Sequence, residues 1–369
     1  DFDVAGDGET IYAVGTWLAQ CDDESWSPAW GPMDLNSEYQ FPKLWKSTDG
    51  GITWSDETDE VLDADNLPDN GTAAEWDDFT FFSHVSVAPD DPDFVVVAGW
   101  SYYADGIEYA YDGNTRYYIP VTVVSENGGD DFYWMGCDTV MGIITALDVS
   151  MERDGDHEVA VGTWDWEYEA PTGPLYPGPT PYTNDNGKVW RFDGGSYSSS
   201  WVNASDDYDG WVDIDAVVDL QFSPNFDVDD TLVALTIGDV ERTGPNDYMG
   251  FWVQAGVWGS QKQWNGDAGL GGYPVLIDND DTVIAAPIDF NLGSGWDVGP
   301  LVRRAGHIDL PMDFMGDYSS DRKIMVAVNG VKFSNSVDVS NDPTDFIDEG
   351  GFLFWLENNN LNLEMLEHE

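Results

Sequence analysis

Ser47-Thr48-Asp49-Gly50-Gly51-Ile52-Thr53-Trp54 decides the fold. These residues follow an apolar, aromatic run that ends in Leu44-Trp45-Lys46. The pattern reads as a strand, a tight turn and the start of a second strand. Asp49 is placed to accept hydrogen bonds from backbone N–H groups beyond it, and Gly50-Gly51 supply positive φ without steric cost. Ser47 can bond across the same turn. Trp54 restarts the apolar pattern and is expected to pack beneath the loop.

Fainter copies of this hairpin recur along the chain. Ser125-Glu126-Asn127-Gly128-Gly129-Asp130-Asp131-Phe132 is a close variant, with Asn for Asp and Phe for Trp. The stretch from Val189 keeps Asp193 and Gly195 but lacks the leading Ser, and its Trp is displaced to Trp201. Val257 to Trp264 keeps the aromatic frame, and Phe354 to Asn359 is weaker still. A second recurring unit precedes each hairpin: a strand, an acidic turn and a Val-rich strand. Val85 to Trp100, Leu147 to Trp164, Leu220 to Thr236 and Met312 to Val328 follow this plan, and Phe2 to Trp17 is a partial copy. A repeat of strand hairpins at this spacing predicts radially arranged blades.

The S-x-D-x-G-x-T-W pattern of Ser47, Asp49, Gly51, Thr53 and Trp54 resembles the Asp-box, or BNR repeat, of sialidase-like β-propellers. Ser125, Asn127, Gly129 and Phe132, and then Asp193 and Gly195, continue the resemblance. It implies an all-β fold: a β-propeller of four-stranded antiparallel blades, five to seven in number, with long rim loops. The expected organisation is a single domain over 1–369, with blades at 1–65, 79–140, 141–206, 211–270 and 305–369. Residues 271–304 read as a degenerate blade or an insertion. Cys21 to Pro42, Ala170 to Asn186 and Gly238 to Met249 read as irregular excursions on one rim.

Charge limits the partners. With 71 acidic and 13 basic residues, the formal net charge is −58. Nucleic acid and anionic membrane surfaces would repel such a chain. No apolar run reaches the roughly 18 residues of a membrane helix, so a membrane-spanning chain is not expected. Screening by salt relieves the self-repulsion. The preference for Asp over Glu fits carboxylates placed in turns.

Candidate site residues follow from composition and motif. Asp63, Asp65 and Asp69 have calcium-loop composition but break the EF-hand register at Leu67, and Asp227, Asp229 and Asp230 form a second cluster. Calcium is the cation expected at them, and no other cofactor is expected. Asn70 and Asn203 head N-x-S/T sequons, which matter in an exported chain. Cys21 and Cys137 lie outside any CxxC pattern, so zinc and redox chemistry are not expected. His84, His157, His307 and His368 match no metal-ligand spacing. Trp164, Trp166, Tyr168 and Tyr176 are candidates for stacking on sugar rings.

The sialidase resemblance implies a clamp of three arginines, yet no arginine precedes Arg116, so sialidase activity is not expected. A pair of loop carboxylates for glycoside hydrolysis remains an alternative. The leading expectation is a non-catalytic, extracellular structural protein. The chain resembles the non-catalytic propeller proteins of bacterial and archaeal surface layers. It would self-assemble or meet other envelope proteins, with divalent cations bridging neighbours. A carbohydrate-binding adhesin that meets glycans is a further alternative. The chain opens at Asp1 without a leader, which reads as a processed or partial chain of an exported protein.

Overall fold

A computed structural model describes residues 1–18, 40–64, 81–102, 108–111, 114–136, 143–164, 187–193, 200–205, 209–212, 214, 216–240, 248–258, 263–279, 282–285, 306–316, 321–334, 346–357 and 362–365. The fold is all-β, and its described strands form antiparallel sheets of four, five and fifteen strands, made up of hairpin sets of the propeller-blade type. They fall into two compact units.

The first unit holds two sets. One is β1 (Phe2–Val4), β2 (Ile11–Leu18), β3 (Gln40–Ser47) and β4 (Ser55–Asp56), in that order, followed by the short helix α1 (Thr58–Leu62). The other is built on β5 (Phe81–Val87), β6 (Val95–Tyr102), β7 (Glu108–Tyr111), β8 (Asn114–Ser125) and β9 (Tyr133–Trp134). Its order is β5-β6-β8, with β9 and β7 both paired to β8. Val95, Val97, Val121 and Val123 meet Tyr12, Leu44 and Phe82 in one buried cluster. The continuous Val run of β6 is buried on both faces, as expected of a strand packed between layers.

The second unit holds three sets. The first comprises β10 (Ile143–Val149), β11 (Glu158–Trp164), β12 (Val189–Asp193) and β13 (Val202–Asn203). The next comprises β14 (Ala216–Phe222), α2 (Phe226–Asp229), β15 (Thr231–Val240), β16 (Tyr248–Val257) and β17 (Gln263–Trp264). Three short strands follow: β18 (Val275–Leu276), β19 (Asp278–Asn279) and β20 (Thr282–Ala285). The last set is β21 (Gly306–Asp309), β22 (Lys323–Ser334), β23 (Phe346–Glu357) and β24 (Asn362–Met365). Only the Trp164↔Ala216 pair joins the first two of these sets along the ladder. β18 pairs with β16, while β20 makes one pair with β16 and four with β22. Thus β22 gives Met325–Val328 to β21 and Val331–Ser334 to β20 along one edge. The stretch Gly238 to Met249 is in part regular: β15 runs on to Val240 and β16 starts at Tyr248, because the two pair without interruption from Thr231↔Val257 to Val240↔Tyr248.

The first turn has the local chemistry its sequence predicts. Ser47 Oγ accepts the Gly51 N–H at 2.9 Å and donates to Asp49 Oδ1 at 2.9 Å. Asp49 accepts the Thr53 N–H at 2.8 Å and the Thr53 hydroxyl at 2.6 Å. These bonds hold the Asp49 carboxyl below its usual range. Gly50 and Gly51 have φ of 70° and 85°. Trp54 donates its indole N–H to Gly51 O at 2.9 Å yet stays 46% exposed, so it braces the turn from the outside.

Successive sets are laced by side chains. Asp1 Oδ2 accepts the Val85 N–H at 3.3 Å, and Asp3 Oδ2 accepts the Val87 N–H at 2.8 Å. Both bonds span 84 residues, so β1 and β5 run parallel. In the second unit Asp148 Oδ2 accepts from Phe222 at 2.6 Å, Asp219 Oδ2 from Ile308 at 2.8 Å and Gln221 Oε1 from Leu310 at 3.0 Å. The last two share an offset of 89 residues, so β14 and β21 are parallel as well. First strands that do not ladder with one another leave main-chain N–H groups to satisfy, and these side chains supply the acceptors. Replacing Asp148 with Ala orphans the amide of the buried Phe222 and is expected to cost about 1–3 kcal/mol in denaturant unfolding. Asp148→Asn, which keeps an acceptor oxygen, is expected to cost less.

Candidate functional site

The lacing defines a repeated position. Asp148 bonds the residue after Gln221, and Gln221 in turn bonds the residue after Asp309. Asp148, Gln221 and Asp309 therefore stand at equivalent points of successive first strands in the second unit. The first two are engaged. Asp309 is exposed, and its side chain makes no hydrogen bond among the described residues.

Two residues before it stands His307. On β21 the burial alternates, with His307 and Asp309 exposed on one face and Ile308 only 1% exposed on the other. Asp219 on β14 lies 2.7 Å from His307 Nδ1 through Oδ2, the oxygen that also receives the Ile308 N–H. Its Oδ1 accepts the Leu220 N–H at 3.0 Å. Thus the carboxylate is fixed by two amides before it meets the imidazole. The bond to Asp219, with help from the field of Asp309, raises the His307 pKa above its ordinary value, against the effect of partial burial. The result is an exposed imidazole, held to Asp219 through Nδ1, beside an exposed carboxylate, on a strand held from behind.

Sequence reasoning missed this pair because it weighed the histidines as metal ligands or members of a Ser-His-Asp motif, and Asp219 lies far from His307 in the chain. The likeness to a second histidine emerges only in the structure. His84 precedes Val85 as His307 precedes Ile308, and both following residues receive an Asp from the neighbouring strand. His84, however, is buried, with Nδ1 2.9 Å from Ser83 Oγ.

The acidic clusters have other duties. Asp229 is 2% exposed and accepts from Ser223 Oγ at 2.8 Å, Gly316 N at 2.6 Å and Thr231 N at 3.1 Å. Asp230, in left-handed conformation, pairs with Arg153, and Asp227 is exposed on α2. Asp63 caps the end of α1, while Asp65, Asp69 and Asn70 lie outside the described residues. No group of three His, Cys, Asp or Glu side chains gathers as a metal site among the described residues. Asn203 sits in β13 and caps Ser205 N at 3.0 Å. Cys21, Cys137, Gly195, Trp166, Tyr168 and Tyr176 lie outside the described residues, and Asp193 is described only as the end of β12. Trp164 is 4% exposed, so its ring belongs to the core and is closed to a sugar.

Three arginines are tied into the framework. Arg191 forks onto Glu158, donates to Trp258 O at 3.0 Å and lies 5.1 Å from the Trp258 ring centre. Arg153 meets Asp230, and the buried Arg322 donates to Gly316 O. None of these is placed as an anion clamp.

Comparison with known proteins gives only distant likenesses. No family model matches, and no curated protein matches. Among solved structures the chain is similar to a GH32 beta-fructofuranosidase from Bombyx mori, with 14% identity and a TM-score of 0.36. That alignment covers 98% of this chain and 60% of the enzyme, so the chain spans three fifths of its length. A protein of unknown function from Dyadobacter fermentans matches at 8% identity and a TM-score of 0.41, covering 99% of this chain and 91% of that one. A thermostable family-43 glycoside hydrolase matches at 9% identity and a TM-score of 0.33, over 100% and 92% of the two chains.

The expectation of a non-catalytic surface-layer subunit is corrected here. The two solved structures named above that carry a function are a beta-fructofuranosidase and a glycoside hydrolase. The physical ground for the expectation also weakens. Asp3, Asp148, Asp219 and Asp229 serve as acceptors inside the fold, so acidity is in part an internal hydrogen-bonding device. Among the described residues, no helix is long and apolar enough to cross a membrane.

The His307 pair sets a pH dependence. Its folded pKa is raised, so its contribution to stability is complete below about 6.5 and is lost as the pH rises through the folded value. An NMR titration of His307 should give a midpoint above about 6.5, and Asp219→Asn should bring it back down.

Proposed function

We propose that this chain hydrolyses glycosidic bonds, with Asp309 and His307 as the reacting pair and Asp219 positioning the imidazole. The observation that carries the reading is the exposed face of β21. It presents, two positions apart, a carboxylate whose side chain has no hydrogen-bond partner among the described residues and an imidazole bound through Nδ1 to Asp219. Two residues along a strand place their Cα atoms about 6–7 Å apart. Glycosidases set their two reacting groups about 5–10 Å apart, a span that side chains projecting from one face at this Cα spacing can reach. In this scheme His307 gives its Nε2 proton to the leaving oxygen. Asp309 stabilises the positive charge that develops on the sugar, or activates water. Asp219 keeps the imidazole protonated and oriented. The turns at Ser47 to Trp54 and Ser125 to Phe132 belong, in this reading, to the Asp-box class of sialidase-like propellers, on the strength of their shared bonding. A polymeric glycan as substrate places the protein outside the cell.

The test is turnover on a panel of neutral and charged glycans, followed by reducing-end release. The parent should cleave at least one class, and Asp309→Asn and His307→Asn should each lower kcat/KM by about 10²–10⁴-fold without loss of fold. The rate should fall on the alkaline side as His307 loses its proton. A folded parent that binds a glycan and never cleaves it, or variants as fast as the parent, would overturn the proposal.

A further inference from the structure

We infer that Asn127 is a site of spontaneous deamidation, and that its conversion works as a one-way latch on the second turn. Comparison of the two well-preserved turns leads to this. In the first, one carboxylate, Asp49, faces one donor, the Thr53 hydroxyl. In the second the roles are exchanged. Asn127 donates through Nδ2 to Asp131 Oδ2 at 2.9 Å, while its Oδ1 accepts the Asp131 N–H at 3.0 Å and the Ser125 hydroxyl at 2.8 Å. In each turn the side chains at the third and seventh positions thus meet as one carboxylate and one donor.

Asn127 is followed by Gly128, whose missing side chain leaves its nitrogen open to the Asn127 Cγ. Attack by that nitrogen breaks the bond to the side-chain amide, expels ammonia and closes a succinimide. Water then opens the ring to aspartate or isoaspartate. In the closed turn the reaction is held back, since the Gly128 N–H donates to Asp93 O at 2.8 Å and both ends of the Asn127 amide are engaged. Brief opening of the turn releases all three restraints at once.

Closure afterwards meets a changed partner. A carboxylate in place of the Asn127 amide has no proton to offer Asp131, and two like charges would share a gap now spanned by one N–H···O bond. Isoaspartate also lengthens the backbone between Ser125 and Gly129, where Ser125 Oγ receives the Gly129 N–H at 2.8 Å. The two other Asn-Gly pairs among the described residues sit in more tightly held backbone. Asn265 is 2% exposed within a network to Gly210 and Gln254, and Asn329 lies inside β22.

The experiment is peptide mapping by mass spectrometry of the full chain, aged at mildly alkaline pH in the folded state and in denaturant. Asn127 should convert ahead of Asn265 and Asn329 in the folded chain, and faster in denaturant. In hydrogen exchange, Asn127→Asp should lower protection of the Gly129 and Asp131 amides by about tenfold. Adding Asp131→Thr, which recreates the donor of the first turn, should restore it. Conversion of Asn265 or Asn329 ahead of Asn127 in the folded chain would overturn the site. Unchanged protection in Asn127→Asp would overturn the latch.

Discussion

The structure depends on one recurring bond: a side-chain acceptor on the first strand of one set reaching the main-chain N–H of the first strand of the next. Within a set, strands satisfy each other by laddering. Between sets the first strands run parallel but do not ladder, and each would present bare amides to its neighbour. Asp1, Asp3, Asp148, Asp219 and Gln221 bridge that gap. A carboxylate accepts more strongly than a neutral group, which explains why an interior seam of this protein is acidic. The cost shows at Asp3, whose carboxyl is pushed up by burial although Val87, Val4 and Ser86 all donate to it. His307 is bound by the same seam, and a candidate reacting group has its orientation set by a structural bond.

Carboxylates here have three distinct fates. Those in turns, such as Asp7 and Asp49, bind nearby amides and hydroxyls and are held below their ordinary range. Those in the seam hold strands together. Asp229 is enclosed and joins α2 to the segment before β22 through Gly316. Asp309 has none of these engagements among the described residues, and it is the neighbouring His307, tied to Asp219, that sets it apart from other exposed carboxylates such as Asp227.

The sequence made the local features legible. The side-chain bonds of Ser47, Asp49 and Thr53 all close within the turn, so eight residues contain its side-chain chemistry, and its variant at Ser125 to Phe132 could be read by substitution. The all-β class followed from the Val-rich runs of β6, β11 and β15. Two things were hidden. Gly238 and Asp239 are poor strand formers, yet they continue β15 because β16 pairs with them, so partner choice outweighed propensity. The bond between His307 and Asp219 joins strands remote in the chain, and nothing near either residue announces the other. The Asp227, Asp229 and Asp230 cluster misled for the opposite reason. Adjacency in sequence suggested a shared ion, whereas the three side chains point to solvent, core and Arg153 respectively.

The twelve-residue β22 is three times as long as β21, its inner partner. Left uncovered, its remaining length would be a template for a strand from another molecule. The chain instead spends β20 on Val331–Ser334, so the edge is occupied by two short pieces in turn. Relay coverage of this kind lets a hairpin outgrow its own set without becoming adhesive, which guards solubility by geometry in addition to charge.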